Sequence, residues 1–232
     1  MNRYLILMCA ALFPLNSNAS WYGGINLGVN SVDIKKELLY PIDDLLPATA
    51  TYRTNYTNGH GQISLGYEFQ LNDKIGTAIE TNADAFVGQS KHRINNWFIT
   101  DNALAEERLE YGASVFLLPS YQFNSHTKFF IGPGISASKF AIKSGYTAGN
   151  IGVTGSFNKW LTGGSLKTGM STQISEHIEA TLSYQYTVYN SVTWEHVEPL
   201  SEESLRGQYR PYVNTAMIGI KIKLPESKNL GK

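Results

Sequence analysis

Six charged side chains offer the most chemistry in this sequence. Glu68, Glu80, Glu110, Glu179, Lys167 and Lys221 each lie in a segment whose residues alternate between apolar and small polar types. Period-two alternation sends successive side chains to opposite faces of a strand. All six then fall opposite the apolar face. Enclosed carboxylates and ammonium groups must pair or meet trapped water, because a lone buried charge is expensive. The spacing predicts Glu179 with Lys221 as one pair and Glu80 with Lys167 as another. Such a set reads either as a proton or ion path or as plugs of a closed interior. Other chemistry is thin. The five histidines, His60, His92, His126, His177 and His196, make no metal-ligand spacing and read as loop and turn residues. Cys9 is the single cysteine, so neither a disulfide framework nor a thiolate zinc site is expected. No metal or cofactor is expected. Gly132-Pro133-Gly134 is too short for a phosphate loop, and no Gly-x-Ser-x-Gly elbow occurs.

The elements that must position these charges are strands. Alternation recurs near residues 21–30, 62–69, 75–84, 109–118, 129–138, 166–173, 178–188 and 215–224. Tight turns join them at Leu71-Asn72-Asp73-Lys74, Asn124-Ser125-His126-Thr127 and Ser175-Glu176. The other connections, near 31–60, 88–107, 142–162 and 190–210, read as long polar loops. Short turns at one end and long loops at the other predict an all-β fold, an eight-stranded antiparallel up-and-down transmembrane β-barrel.

Three features argue that the apolar face meets lipid. The polar face is rich in Gly, Ser, Asn and Thr, as a narrow lumen requires. The apolar face carries no charge, and a Lys or Arg at the bilayer midplane would cost about 2–4 kcal/mol. Aromatics gather at strand ends. Trp21, Tyr67, Phe69, Tyr121, Phe123 and Phe129 lie toward the short turns, and Tyr111, Phe140, Tyr186 and Tyr212 toward the long loops. Two such groups are the expected interfacial girdles.

Composition bounds the partners. The chain has 232 residues with 19 basic and 19 acidic side chains, so no basic field exists for nucleic acid. Residues 1–19 read as a secretory signal peptide, with Arg3, an apolar run from Leu5 to Leu15, and Ser17-Asn18-Ala19 before the cut. Residues 20–224 would form the barrel and 225–232 a short periplasmic tail. Export of a chain left without cysteine fits the cell envelope of a Gram-negative bacterium.

Trp21-Tyr22-Gly23-Gly24-Ile25, the eight strands, and Met217-Ile218-Gly219-Ile220-Lys221-Ile222-Lys223-Leu224 resemble the small outer-membrane barrels, the group of the OmpA transmembrane domain, OmpX and the opacity proteins. The resemblance spans residues 20–224. It implies an outer-membrane location and a closing strand read by the barrel-insertion machinery. It also implies contact with outer-membrane lipid and lipopolysaccharide, and a structural or surface role such as adhesion or host contact. That group usually ends on an aromatic residue; here Leu224 precedes Pro225 to Lys232. Contact candidates in the loops are Trp97, Phe98, Trp160 and Trp194, and Lys91, His92 and Arg93 could meet lipopolysaccharide phosphates. Two other functions stay open. One is a lipid A-modifying enzyme, for which Ser175-Glu176-His177 has the residue types but sits in a tight turn. The other is a soluble periplasmic lipid-binding barrel with the faces reversed.

Overall fold

The computed structural model describes residues 19–40, 48–96, 99–148, 151–197 and 204–224. These form β1 (Ala19–Tyr40), β2 (Ala48–Gln70), β3 (Ile75–Val87), β4 (Ser90–Asn96), β5 (Ile99–Gln122), β6 (Thr127–Ala148), β7 (Ile151–Ser175), β8 (Ile178–Tyr189), β9 (Val192–Val197) and β10 (Ser204–Lys223). All ladders are antiparallel, and β1 closes on β10 from Tyr22↔Lys223 to Leu39↔Arg206. β3 with β4 makes one stave, broken at Gly88-Gln89; β8 with β9 makes another, broken at Asn190-Ser191. The wall is therefore an eight-stave barrel built from ten segments. Of the predicted leader, residues 1–19, residues 1–18 lie outside the described residues, as does the tail, 225–232; Ala19 heads β1, paired with Phe69.

Two short turns use one device. The Asn72 side-chain oxygen accepts from the amides of Lys74 (2.9 Å) and Ile75 (2.8 Å). Asn124 does the same for His126 (2.9 Å) and Thr127 (2.8 Å). A short amide thus stands in for the missing turn bonds.

The strands are longer than the alternation suggested. β1 has 22 residues, about twice the 9–11 needed to cross a bilayer. The segments read as long loops are largely strand. The reason lies in which face is apolar. From Trp21 to Val29 the outer face is apolar, with Ile25 63%, Leu27 65% and Val29 57% exposed. Beyond it the same face carries Ser31, Asp33, Lys35 and Glu37, while Val32 and Ile34 point inward, both fully buried. β10 changes likewise: Ile222, Ile220 and Ile218 face out below, Asn214 and Arg210 face out above, and Val213 and Tyr209 turn in. The lower half has an apolar skin and a polar interior. The upper half has a polar skin and an apolar core, in which Val32, Ile34, Leu109, Phe140, Leu161 and Tyr189 pack together. Each half hides its apolar side from water, so the reversal marks where the outer surroundings change from hydrocarbon to water.

Above this belt the wall divides. β4 pairs with β5 and β9 with β10, whereas the described ladders join neither β2 to β4 nor β7 to β9. Two four-stranded sheets, β2-β1-β10-β9 and β4-β5-β6-β7, rise from one closed cylinder.

Candidate functional site

The lumen is built in tiers. At mid-height Glu80 of β3 is fully buried, and Lys167 of β7 donates to it at 2.7 Å. Lys221 of β10 donates to its second oxygen at 2.9 Å, and the Tyr22 hydroxyl of β1 to the same oxygen at 2.7 Å. Tyr22 fits because residue 66 on the neighbouring strand is glycine: a Cβ there would stand 2.2 Å from Tyr22 Cζ. Gln62 of β2 accepts from Lys167 (3.0 Å) and Asn26 (3.1 Å) and donates to Asp84 (2.8 Å). Lys221 also lies 4.5 Å from the Tyr22 ring centre. Two carboxylates, Glu80 and Asp84, thus balance two ammonium groups.

Nearer the short turns, Glu68 accepts from Lys128 at 2.6 Å, and Glu179 pairs with Lys128 (3.2 Å) and Lys223 (2.7 Å). Ser171 donates to Glu179 at 2.5 Å. Glu179 and Lys221 face each other in register but take other partners, so the pair read from sequence does not form. Lys128 and Lys223 are the cations that reading missed; both follow from the alternation carried to the strand ends. In the upper half, Lys36 and Glu107 form an ion pair, each about 1% exposed, and Thr54 donates to Glu107 at 3.2 Å. Burial pushes the Lys36 ammonium below its ordinary value, opposed by the Glu107 charge. Glu80, held by two ammonium groups and a phenol, is occupied as an ion-pair anchor linking four staves.

Two side chains lie on the opposite face from the one expected. Glu110 lies outside the barrel. The β5–β6 register slips between Leu109 and Gly112, so Glu110 and Tyr111 together oppose Lys139 and both turn outward, while Leu109 turns in and is fully buried. An extra residue in one strand reverses the parity beyond it. On the outer wall Glu110 accepts from Arg108 (2.6 Å) and Lys139 (2.9 Å). Phe140 lies inside, fully buried, 6.4 Å from the Tyr209 ring. Alternation continued from Ser136 and Ser138 puts residue 140 on the inner face; its size, not its parity, suggested a girdle.

The remaining aromatics lie on or near the outer surface. Trp21 sits 5.0 Å from Tyr67, Tyr67 6.3 Å from Phe69, and Tyr121 5.6 Å from Phe123, ring to ring. Phe129 is partly buried at that end, and Tyr186 and Tyr212 face out near the upper margin. Trp160 is no loop residue: it lies in β7, 5.6 Å edge-on from Tyr111. Trp97 and Phe98 lie outside the described residues. Trp194 lies in β9 and Lys91, His92 and Arg93 in β4, with side chains outside the described set. His60 is not a loop residue either; it is buried in the lumen, 3.2 Å from Asp84. Ser175-Glu176-His177 stays at an exposed turn. Among the described residues no cluster could hold a metal ion.

Residues 5–219 match the family described as the outer membrane protein beta-barrel domain, and the chain belongs to that family. Its place is the outer membrane of Gram-negative bacteria. Among solved structures it is similar to the outer membrane protein OprG from Pseudomonas aeruginosa, with 15% identity, TM-score 0.54, and 88% of this chain and 97% of that one covered. It is also similar to the outer membrane protease OmpT from Escherichia coli, with 10% identity, TM-score 0.50, and 88% and 97% covered. A third is Ail, the attachment invasion locus protein of Yersinia pestis, with 13% identity, TM-score 0.40, and 88% and 98% covered. At such identities the likeness shows the fold. No curated protein matches the chain.

Proposed function

We propose that this barrel is a closed membrane anchor carrying a raised collar that makes contacts at the cell surface. The observation that carries the reading is the reversal of faces along the strands. The belt holds the chain in hydrocarbon, and the same strands continue into water as polar-skinned sheets around an apolar core. A collar so built holds the hairpin ends clear of the membrane, where loops of rigid scaffolds meet partners. Beneath it the lumen is filled by ion pairs that join opposite walls, which suits an anchor better than a conduit. A soluble lipid carrier needs its apolar face inward in the half that here presents Ile25, Leu27, Ile218 and Ile220 outward, so that reading falls away.

The test is adhesion of cells displaying the wild-type barrel to host-cell monolayers, compared with cells displaying a variant whose segment 41–47 is replaced by a short Gly-Ser turn. Loss of adhesion with the heat-modifiable band retained supports surface contact; equal adhesion removes it. Planar-bilayer recordings without conductance steps support the closed anchor, and discrete steps replace it by a pore. Altered lipid A acylation or peptide cleavage by the purified protein would put an enzyme in its place.

A further inference from the structure

Two strand edges face each other across a cleft in the collar. The ladder between β2 and β3 ends at Gly59↔Val87, while β1 stays paired with β2 as far as Tyr40↔Ala48. From Ala48 to Asn58, β2 therefore has a ladder on one side only. Opposite stands β4, which pairs with β5 from Ser90↔Glu107 to Asn96↔Ile99 and, among the described ladders, with no other strand. The stave leaves β2 at Gly88, whose φ of 140° lies in the left-handed region that favours glycine. Each edge presents backbone N–H and C=O groups with no ladder to receive them, a template for a further strand. Proline commonly blunts such an edge, and residues 48–58 contain none. Instead Thr49, Thr51, Tyr52, Thr54, Tyr56 and Thr57 favour an extended chain.

Inward of the edges lie Tyr56 of β2 and Phe86 of β3, both partly buried against the collar core. The charges on the two facing segments have one sign. Residues 48–58 carry Arg53 and no acid, and β4 carries Lys91 and Arg93 and no acid. The carboxylates beside them belong to the strands behind. Asp33 of β1 stands 3.8 Å from Arg53, whose side chain remains 69% exposed. Glu106 of β5 is opposite Lys91 in register, and Glu107 is held by Lys36. Arg53, Lys91 and Arg93 against Asp33 and Glu106 leave the cleft net positive. The matching gap on the far side, between residues 151–162 of β7 and β9, is bordered by Lys159, Glu195 and His196 and has no such bias.

We propose that the cleft between β2 and β4 takes up an extended, acidic peptide segment of a partner protein as an added strand. Its backbone would pair with residues 48–58 on one side and with β4 on the other. Because β4 runs antiparallel to β2, the peptide would lie antiparallel to one and parallel to the other. Main-chain bonds would supply affinity, and alternate side chains the selectivity. Carboxylates on its outward face would meet Arg53, and its inward residues would cover the Tyr56 and Phe86 rings. Charge complementarity selects this occupant over a second copy of the chain, whose edges would bring Arg53, Lys91 and Arg93 against themselves. The inference rests on the collar being a contact surface and names what the contact takes.

The test is fluorescence anisotropy of the detergent-solubilised barrel with a labelled peptide of roughly ten alternating valine and glutamate residues. The same peptide with lysine for glutamate should bind about tenfold more weakly. N-methylation of its two central residues, whose amides face opposite edges, should remove binding. Arg53→Gln and Arg93→Gln should each weaken the glutamate peptide about threefold, as exposed charge contacts do. Lys159→Gln, at the far gap, should leave it unchanged. Equal binding of the lysine peptide, equal binding of the N-methylated peptide, or unchanged affinity in both arginine variants would each overturn the proposal. So would a concentration-dependent dimer that the peptide dissociates, which puts a second copy in the cleft. The heat-modifiable band shows that each variant is folded; if one is not, the two altered peptides decide on the wild-type barrel. Adhesion lost on replacing segment 41–47, with no peptide bound, would overturn this inference and leave the contact reading standing.

Discussion

Glu80 accepts hydrogen bonds from Lys167, Lys221 and Tyr22 on three other staves, so its removal affects several walls at once. Glu80→Gln leaves two buried ammonium groups without their carboxylate and should cost about 3–5 kcal/mol. Lys221→Met leaves Glu80 with Lys167 and Tyr22 and should cost clearly less. Urea unfolding in detergent micelles measures both, and equal losses would show that the carboxylate is not the hub. Gly66→Val should lose about 1–3 kcal/mol by displacing the Tyr22 ring, read in the same titration. The inward position of Glu80 and Lys167 was legible from alternation alone. The partners of Glu179 were not, because the stagger between staves decides which side chains share a height, and one strand's sequence does not encode it.

At the scale of elements, the bulge on β5 concealed the true faces of Arg108, Leu109 and Glu110. Two residues, Glu110 and Tyr111, face one on β6, so every position above the bulge has the opposite parity from the reading made below it. Deleting Glu110 should remove the bulge and swing Arg108 and Glu106 inward and Leu109 outward. Loss of the heat-modifiable band on an unheated gel is the expected result; a deletion variant that folds normally would contradict this account. The upper reaches of β1, β2, β7 and β10 were hidden for a related reason. Once the outer face enters water, the apolar residues change sides, as Val29 gives way to Val32 on β1. A search that follows one face then sees only polar positions and reports a loop. The eight staves themselves were legible because the belt repeats one rule in each of them.

For the whole molecule, the reversal of faces predicts a sharp difference between two nearby positions. Leu27→Arg, on the lipid-facing side of β1, should cost about 2–4 kcal/mol in folding into lipid vesicles. Ser31→Arg, four residues along on that same side, should cost close to nothing, because it lies past the belt. Similar losses at both would mean that hydrocarbon extends over the collar. The ladder between β1 and β2 runs unbroken from Ala19↔Phe69 to Tyr40↔Ala48. Its alignment is therefore established well below the hairpin's summit. A foreign peptide spliced between Tyr40 and Ala48 would be carried outward on that ready-made stalk without disturbing insertion, which makes the chain a natural frame for epitope display.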